Sequence, residues 1–213
     1  MIDLNYPWKY KELTNWKFDH QELVDYYEEI KKNFQHRKWS MDVIEPCEYQ
    51  YIQKKMHGYE CWSIQTRYKD PTKPCGIFRG DEAPWEVLDG DTYDGTTEMV
   101  FGFAKKLIDR VPGIYQMGLS CHNPGFEIAQ HQDFDKNTNL PIFKIHLPIY
   151  TTSECDWLFG DELTHFEEKK AYMFNANCSH GTINKSNTFR VHLLMLIRPQ
   201  HIQNALEAKI DLT

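Results

Sequence analysis

From Tyr115 onward the chain is cut into short runs: Tyr115–Leu119, Phe126–Ile128, Ile142–Leu147, Ala171–Phe174 and Phe189–Ile197. They are rich in β-branched and aromatic residues. Between them stand Asn-Pro-Gly, Asp-Lys-Asn-Thr-Asn, Phe-Gly-Asp-Glu and Asn-Lys-Ser-Asn, all built from turn-forming residues. Closely spaced strands with this punctuation predict a sandwich or barrel. Aromatics make up 14% of the chain, enough large rings to fill such an interior or line a pocket in it.

The first half reads differently. Tyr6, Trp8, Tyr10 and Trp16 lie among polar residues, which predicts an irregular arm with rings docked on the body. Asp19, with Glu22 three residues on, forms a capping-box pattern. Leu23, Tyr26, Tyr27, Ile30 and Phe34 then recur at helical spacing and predict a helix over about 20–34. Residues 62–66 alternate as a strand does, whereas 48–52 fit strand or helix. Residues 70–95 carry Pro71, Pro74, Gly76, Gly80, Pro84, Gly90 and Gly95 and read as a long loop. Phe78, Arg79 and Trp85 suit either a substrate-facing lid or a surface loop pinned by two aromatics. Thr96 or Thr97 is expected to cap a second helix, with Met99, Val100, Phe103, Leu107 and Val111 as its buried stripe and Pro112-Gly113 as its end.

Polar residues on the later strands carry the chemistry. His131 and Asp133 sit two apart, so on an extended strand they share a face. Lys144 and His146 form a second such pair, and Arg190 and His192 a third. Cationic side chains turned inward are costly to bury without anionic partners. Either they pair with Asp and Glu, or they surround a metal and an anionic ligand. His180 is available as a third ligand beside His131 and Asp133; two His and one carboxylate form the ligand set of non-haem Fe(II) oxygenases. Arg190 suits a carboxylate, because its planar fork binds one bidentately. His57, His165 and His201 read as surface residues, and His122 as facing either the pocket mouth or the body. Trp157 and Phe159, before a Gly160-Asp161 turn, read as core or rim aromatics. Asp135 belongs to a turn and is left out of the ligand set.

Formal net charge is -7, which argues against a broad nucleic-acid footprint. Six Cys without a Cys-x-x-Cys, and no apolar leader after Met1, lead us to expect reduced, mostly buried thiols in a cytoplasmic protein. No apolar run approaches the roughly 20 residues of a membrane span. The length suits one domain over 1–213. Residues 1–114 would form arm, helices and lid, 115–198 the motif-bearing core, and 199–213 a tail.

The run Ser120-Cys-His-Asn-Pro-Gly, then His131-Gln-Asp133, Phe143-Lys-Ile-His146-Leu-Pro-Ile, Ala171-Tyr-Met-Phe-Asn-Ala-Asn-Cys-Ser-His180, Asn184 and Phe189-Arg190-Val-His192-Leu-Leu resembles the aspartyl/asparaginyl β-hydroxylase-like branch of the 2-oxoglutarate/Fe(II) dioxygenases. That branch also includes some free-proline hydroxylases. The resemblance implies a mainly β fold with flanking helices: a double-stranded β-helix, the cupin-like jelly-roll. It implies Fe(II), 2-oxoglutarate and O2, with His131, Asp133 and His180 as iron ligands. By resemblance, Arg190 salt-bridges the distal carboxylate of 2-oxoglutarate and Ser120 donates to the co-substrate. Lys144 and His146 occupy positions where the family often has an Arg and a His near the co-substrate, so Lys144 departs from the pattern. His192 and Asn184 match motif positions that back these contacts, and His192 is counted with the co-substrate residues. Some aspartyl β-hydroxylases lack the carboxylate ligand; this chain keeps Asp133.

The expected activity is hydroxylation of an amino acid, peptide or protein side chain, with decarboxylation of 2-oxoglutarate to succinate. Two rivals stand beside it. One is a dioxygenase acting on another small metabolite or a nucleobase. The other is a jelly-roll protein that binds a metal and a carboxylate without turnover. The expected partner is a small-molecule or peptide substrate, with neither nucleic acid nor membrane; the sequence does not give the oligomeric state.

Overall fold

The structure is a computed structural model that describes residues 6–34, 37–38, 59–66, 95–133 and 141–213. The 48–52 segment, His57, Asp135 and the lid residues Phe78, Arg79 and Trp85 lie outside them. The strands are β1 (Tyr10–Glu12), β2 (Trp16–Lys17), β3 (Arg37–Lys38), β4 (Tyr59–Thr66), β5 (Gly95–Thr96), β6 (Ile114–His122), β7 (Glu127–His131), β8 (Phe143–Tyr150), β9 (Cys155–Phe159), β10 (Glu162–Thr164), β11 (Tyr172–Asn175), β12 (His180–Asn184), β13 (Arg190–Ile197) and β14 (Ile210–Asp211). The helices are α1 (His20–Asn33), α2 (Gly102–Arg110) and α3 (Ile202–Glu207).

Two antiparallel sheets form the jelly-roll. The larger runs β1-β11-β8-β13-β6-β4-β3, with β5 on β4; the smaller runs β10-β9-β12-β7. This is the double-stranded β-helix of cupin-like proteins, mainly β with few helices. A further parallel pair, β14 with β2, ties the two ends of the chain together.

Strand periodicity decides what each face of the large sheet carries. Successive side chains point to opposite faces. On β6, Met117, Leu119 and Cys121 point one way; so do Ile145, Leu147 and Ile149 on β8, and Val191, Leu193 and Met195 on β13. They share one buried cluster with Leu23, Tyr26, Tyr27 and Ile30 of α1 and Phe103, Ala104 and Leu107 of α2. The residues between them face the smaller sheet. There Trp157, Phe159, Phe166, Tyr172, Phe174 and Ala176 fill one end with a second cluster. The rest of that inner face is largely polar, with Leu194 among its pocket-lining residues.

The predicted helix over 20–34 is α1. Asp19 caps it, accepting from the Gln21 N–H at 2.8 Å. Glu22 does not close the capping box; it pairs instead with Lys106 Nζ at 2.8 Å, joining α1 to α2. The second helix begins later than expected. Thr97 Oγ1 donates to Ile64 O at 2.8 Å and accepts from the Met99 N–H at 3.2 Å, so its hydroxyl holds a turn against β4. The helix starts at Gly102, and Phe101 before it supplies no side-chain cap.

The arm's rings dock as expected, Tyr6 and Trp8 on Phe143 and Tyr10 on Phe159. It is not irregular throughout, because β1 adds a strand to the edge of the large sheet. Gly160, at φ 64°, turns the two-residue loop between β9 and β10, as the Gly160-Asp161 pattern predicts. Cys121, Cys155 and Cys178 are free thiols. Among the described residues no helix is long and apolar enough to cross a membrane.

Candidate metal centre and ligand pocket

β7 and β12 pair antiparallel, with His131 directly opposite His180. Their rings lie side by side, centroids 4.4 Å apart. Asp133 lies past the end of β7, so strand alternation does not bring it to His131. A backbone bond from Asp133 N–H to Ala176 O, at 2.9 Å, fixes it there. Gln132 supports the same bend by donating to Asn177 O at 2.8 Å. Asp133 Oδ1 is 3.5 Å from His131 Nε2, and Oδ2 is 3.4 Å from His180 Nε2. One ligand atom from each of the three falls within 4.8 Å of the others.

The far edges of both rings are spoken for. His131 Nδ1 is 2.9 Å from Ala129 O, and His180 Nδ1 is 3.0 Å from Cys178 O. A carbonyl can only accept, so each Nδ1 carries a proton and each Nε2 is the edge turned toward Asp133. Metal-binding histidines are oriented by contacts of this kind. Burial pushes His131 down to about 4, against the upward pull of Asp133. Burial pushes Asp133 up, but the Lys144 ammonium, helped by His180, holds it well below the usual carboxylate range. Lys144 Nζ donates to Asp133 Oδ2. The cluster thus offers two imidazole nitrogens and one carboxylate. With metal–ligand bonds of about 2.1 Å, neighbouring ligands of one ion sit roughly 3 Å apart, close to the spacing found. The donor set fits a divalent ion and is compatible with Fe(II).

A pocket opens between the sheets beside this cluster. Ser120, Lys144, His146, Trp157, Phe174 and Arg190 are among the residues that line it, together with His131 and His180. Arg190 is 1% exposed, and its guanidinium lies 4.7 Å from the centroid of the Trp157 ring. Its NH1 donates to His122 Nδ1 at 2.9 Å and its NH2 to His192 Nδ1 at 3.2 Å. Lys144 and Arg190 together give the pocket a positive field suited to an anion.

The site residues read from the sequence therefore meet in one place, with exceptions. His192 is buried behind His146 and Arg190 rather than on the pocket wall. Asn184 organises a turn: its Nδ2 donates to His122 O, Asn123 O and Thr188 O. His122 is buried, lines the pocket and touches Arg190 and Ser120. His165 and His201 are half-buried rather than exposed, His165 held by Cys155 O at 2.9 Å. Trp157 is core and pocket wall at once. Its alternation with Cys155 and Phe159 marks an inward-facing strand position, but nothing in the sequence says that Arg190 stacks on it.

Fold and cluster together define a cupin-type jelly-roll with a two-histidine, one-carboxylate site. Residues 97–199 match the family model described as aspartyl/asparaginyl beta-hydroxylase. The matched segment holds every site residue named above. Among solved structures, the chain is similar to a cupin domain from Bordetella pertussis, 18% identical, at a TM-score of 0.32 over 39% of this chain and 80% of that one. It is similar to a predicted oxalate decarboxylase from Thermotoga maritima, 15% identical, at 0.32 over 40% of this chain and 67% of that one. It is also similar to the DMSP lyase DddQ from Ruegeria pomeroyi, 9% identical, at 0.43 over 82% of this chain and 61% of that one. Comparison with curated proteins gave no sequence match.

Proposed function

We propose that this chain is a 2-oxoglutarate- and Fe(II)-dependent oxygenase that hydroxylates an amino acid, peptide or protein side chain. The observation that carries the reading is the convergence of His131 Nε2, His180 Nε2 and an Asp133 carboxylate oxygen at one point beside a buried cationic pocket. His131, Asp133 and His180 would hold the iron. Bound there, the iron and its co-substrate would supply an oxidant from O2, one oxygen atom going to succinate as CO2 leaves and the other to the hydroxylated product.

The chain's own residues do the rest. Ala129 O and Cys178 O keep both imidazoles facing the ion. Lys144 keeps Asp133 ionised and oriented. Arg190, backed by Trp157, grips the distal carboxylate of the co-substrate, and Ser120 donates to it. Phe174, Trp157 and Leu194 give the pocket dry walls.

The test is succinate formation that requires Fe(II), 2-oxoglutarate and O2 together, with amino acids and peptides as candidate substrates. Asp133→Ala is expected to abolish turnover, since only two ligands would remain. Full activity in that variant would sink the ligand assignment. Metal binding without succinate under any substrate would favour a metal- and carboxylate-binding protein that does not turn over.

A further inference from the structure

Four buried side chains behind the metal cluster are linked in a fixed sense. Arg190 keeps its charge and can only donate. Its NH1 and NH2 meet His122 Nδ1 and His192 Nδ1, so both nitrogens are bare and both rings carry their proton on Nε2. His192 Nδ1 also lies 3.3 Å from His146 Nδ1. Because the His192 nitrogen is bare, the proton in that contact belongs to His146 Nδ1. Burial, reinforced by the Arg190 charge, holds all three rings well below the ordinary histidine range and so neutral.

It follows that His146 Nε2 is bare. That nitrogen is buried and has no partner among the described residues. His146 is 4% exposed and lines the pocket, with its Nδ1 edge turned to His192. Beside it, ring centroids 4.9 Å apart, stands Trp157, 5% exposed, whose Nε1–H is also buried without a partner. One wall of the pocket thus carries an unmet acceptor next to an unmet donor. His192 Nε2–H is unmet as well. Buried polar atoms in that condition are destabilising, so the arrangement is one that a ligand or water would relieve.

We propose that His192 is a positioning residue: by accepting from Arg190 and His146 on one nitrogen, it fixes the His146 proton on Nδ1 and makes the pocket wall an acceptor beside the Trp157 donor. Such a pair takes a group that both donates and accepts, a hydroxyl or a water molecule, and disfavours a bare carboxylate oxygen at His146 Nε2. On the reading given under Proposed function, the distal carboxylate is thereby steered to Arg190 and Ser120. The Ser120 hydroxyl receives His122 Nε2–H at 3.2 Å and keeps its own proton to donate. Only this last step rests on that reading; the proton assignment does not.

The experiment uses metal-free protein with 15N-labelled histidine and long-range proton–nitrogen correlation, the His146 signals being identified by their loss in His146→Gln. The expected result is His146 with a protonated Nδ1 and a bare Nε2, and His122 and His192 in the opposite form. A His146 ring protonated on Nε2, or on both nitrogens, overturns the proposal. His192→Phe removes the acceptor and is expected to shift the His146 proton to Nε2. His192→Asn offers an oxygen in place of Nδ1 and is expected to restore the wild-type form. A His146 ring unchanged in His192→Phe, or altered in His192→Asn, overturns the role of His192. Should His192→Phe lose its amide dispersion, wild type and His192→Asn still decide. No metal or co-substrate is in the tube, so failure here is separable from failure of the oxygenase reading.

Discussion

Strands β6, β8 and β13 carry two chemistries on opposite faces. The face toward α1 and α2 is apolar: Leu119, Leu147 and Leu193 are each fully buried in it. The face toward the small sheet carries Ser120, His122, Lys144, His146, Arg190 and His192, each nearly as buried. The first face stabilises the fold by removing hydrocarbon from water. The second requires charges and imidazoles to stay dry, which opposes folding unless they are hydrogen-bonded to one another. One sheet thus separates the work of holding the protein together from the work of binding.

The widest separation should appear in Leu193→Ala. Leu193 is at the middle of β13, between β6 and β8. Its truncation is expected to cost about 2–5 kcal/mol by urea unfolding, with the m-value unchanged. Divalent-metal affinity, measured with Co(II) by visible absorption where the variant is folded, should stay as in wild type. A large loss of metal affinity in fully folded Leu193→Ala would break the division between the faces.

Acid should act on the other face. Burial holds the folded His131 pKa at about 4, below the ordinary 6.5. Above pH 6.5 neither the folded nor the unfolded form is protonated there, and the group has no effect on stability. Between 6.5 and 4 the unfolded chain takes up a proton that the folded one refuses, so stability falls as pH drops. The loss at this residue amounts to about 3 kcal/mol by pH 4. His122, His146 and His192 are depressed for the same reason, burial first and the Arg190 charge second, and add in the same direction. Asp133 works in a lower window. Burial raises it, Lys144 and His180 outweigh that, and its contribution is lost only as pH falls below the usual carboxylate range. Urea unfolding of metal-free protein across pH 7 to 4 measures the slope. A flat profile would mean that the inner-face imidazoles are solvated, and the contrast between the faces would fail.

The outer face was legible in the sequence, because strand alternation and the α1 stripe Leu23-Tyr26-Tyr27-Ile30 are local signals. The site residues were legible as a motif, and the structure brings His131, Asp133 and His180 together. How they meet was not legible. Asp133 is held by a backbone bond to Ala176, forty-odd positions away, rather than by strand periodicity. The start of α2 is not legible in the sequence, because Thr97 has the right side chain for a cap but donates its hydroxyl to Ile64 O. Trp157 and the Arg190–His192–His146 chain depend on which rings face each other across two sheets, information that no single segment contains.

The smallest effect tests the seam between β7 and β12 within the small sheet. Gly181 follows His180 on β12, and a methyl group there would lie 2.7 Å from Ile128 O and 3.1 Å from Gln130 N of β7. Both contacts are backbone, so neither can swing aside; the strands themselves must part. Overpacking of this kind costs about 1–3 kcal/mol. The displaced strands are those that carry His131 and His180, so Gly181→Ala is expected to weaken Co(II) binding about tenfold as well as lowering stability. Leu193→Ala should give only the loss of stability. Gly181→Ala with wild-type metal affinity and a lowered unfolding midpoint would show that the β7–β12 spacing matters to the fold but not to the metal.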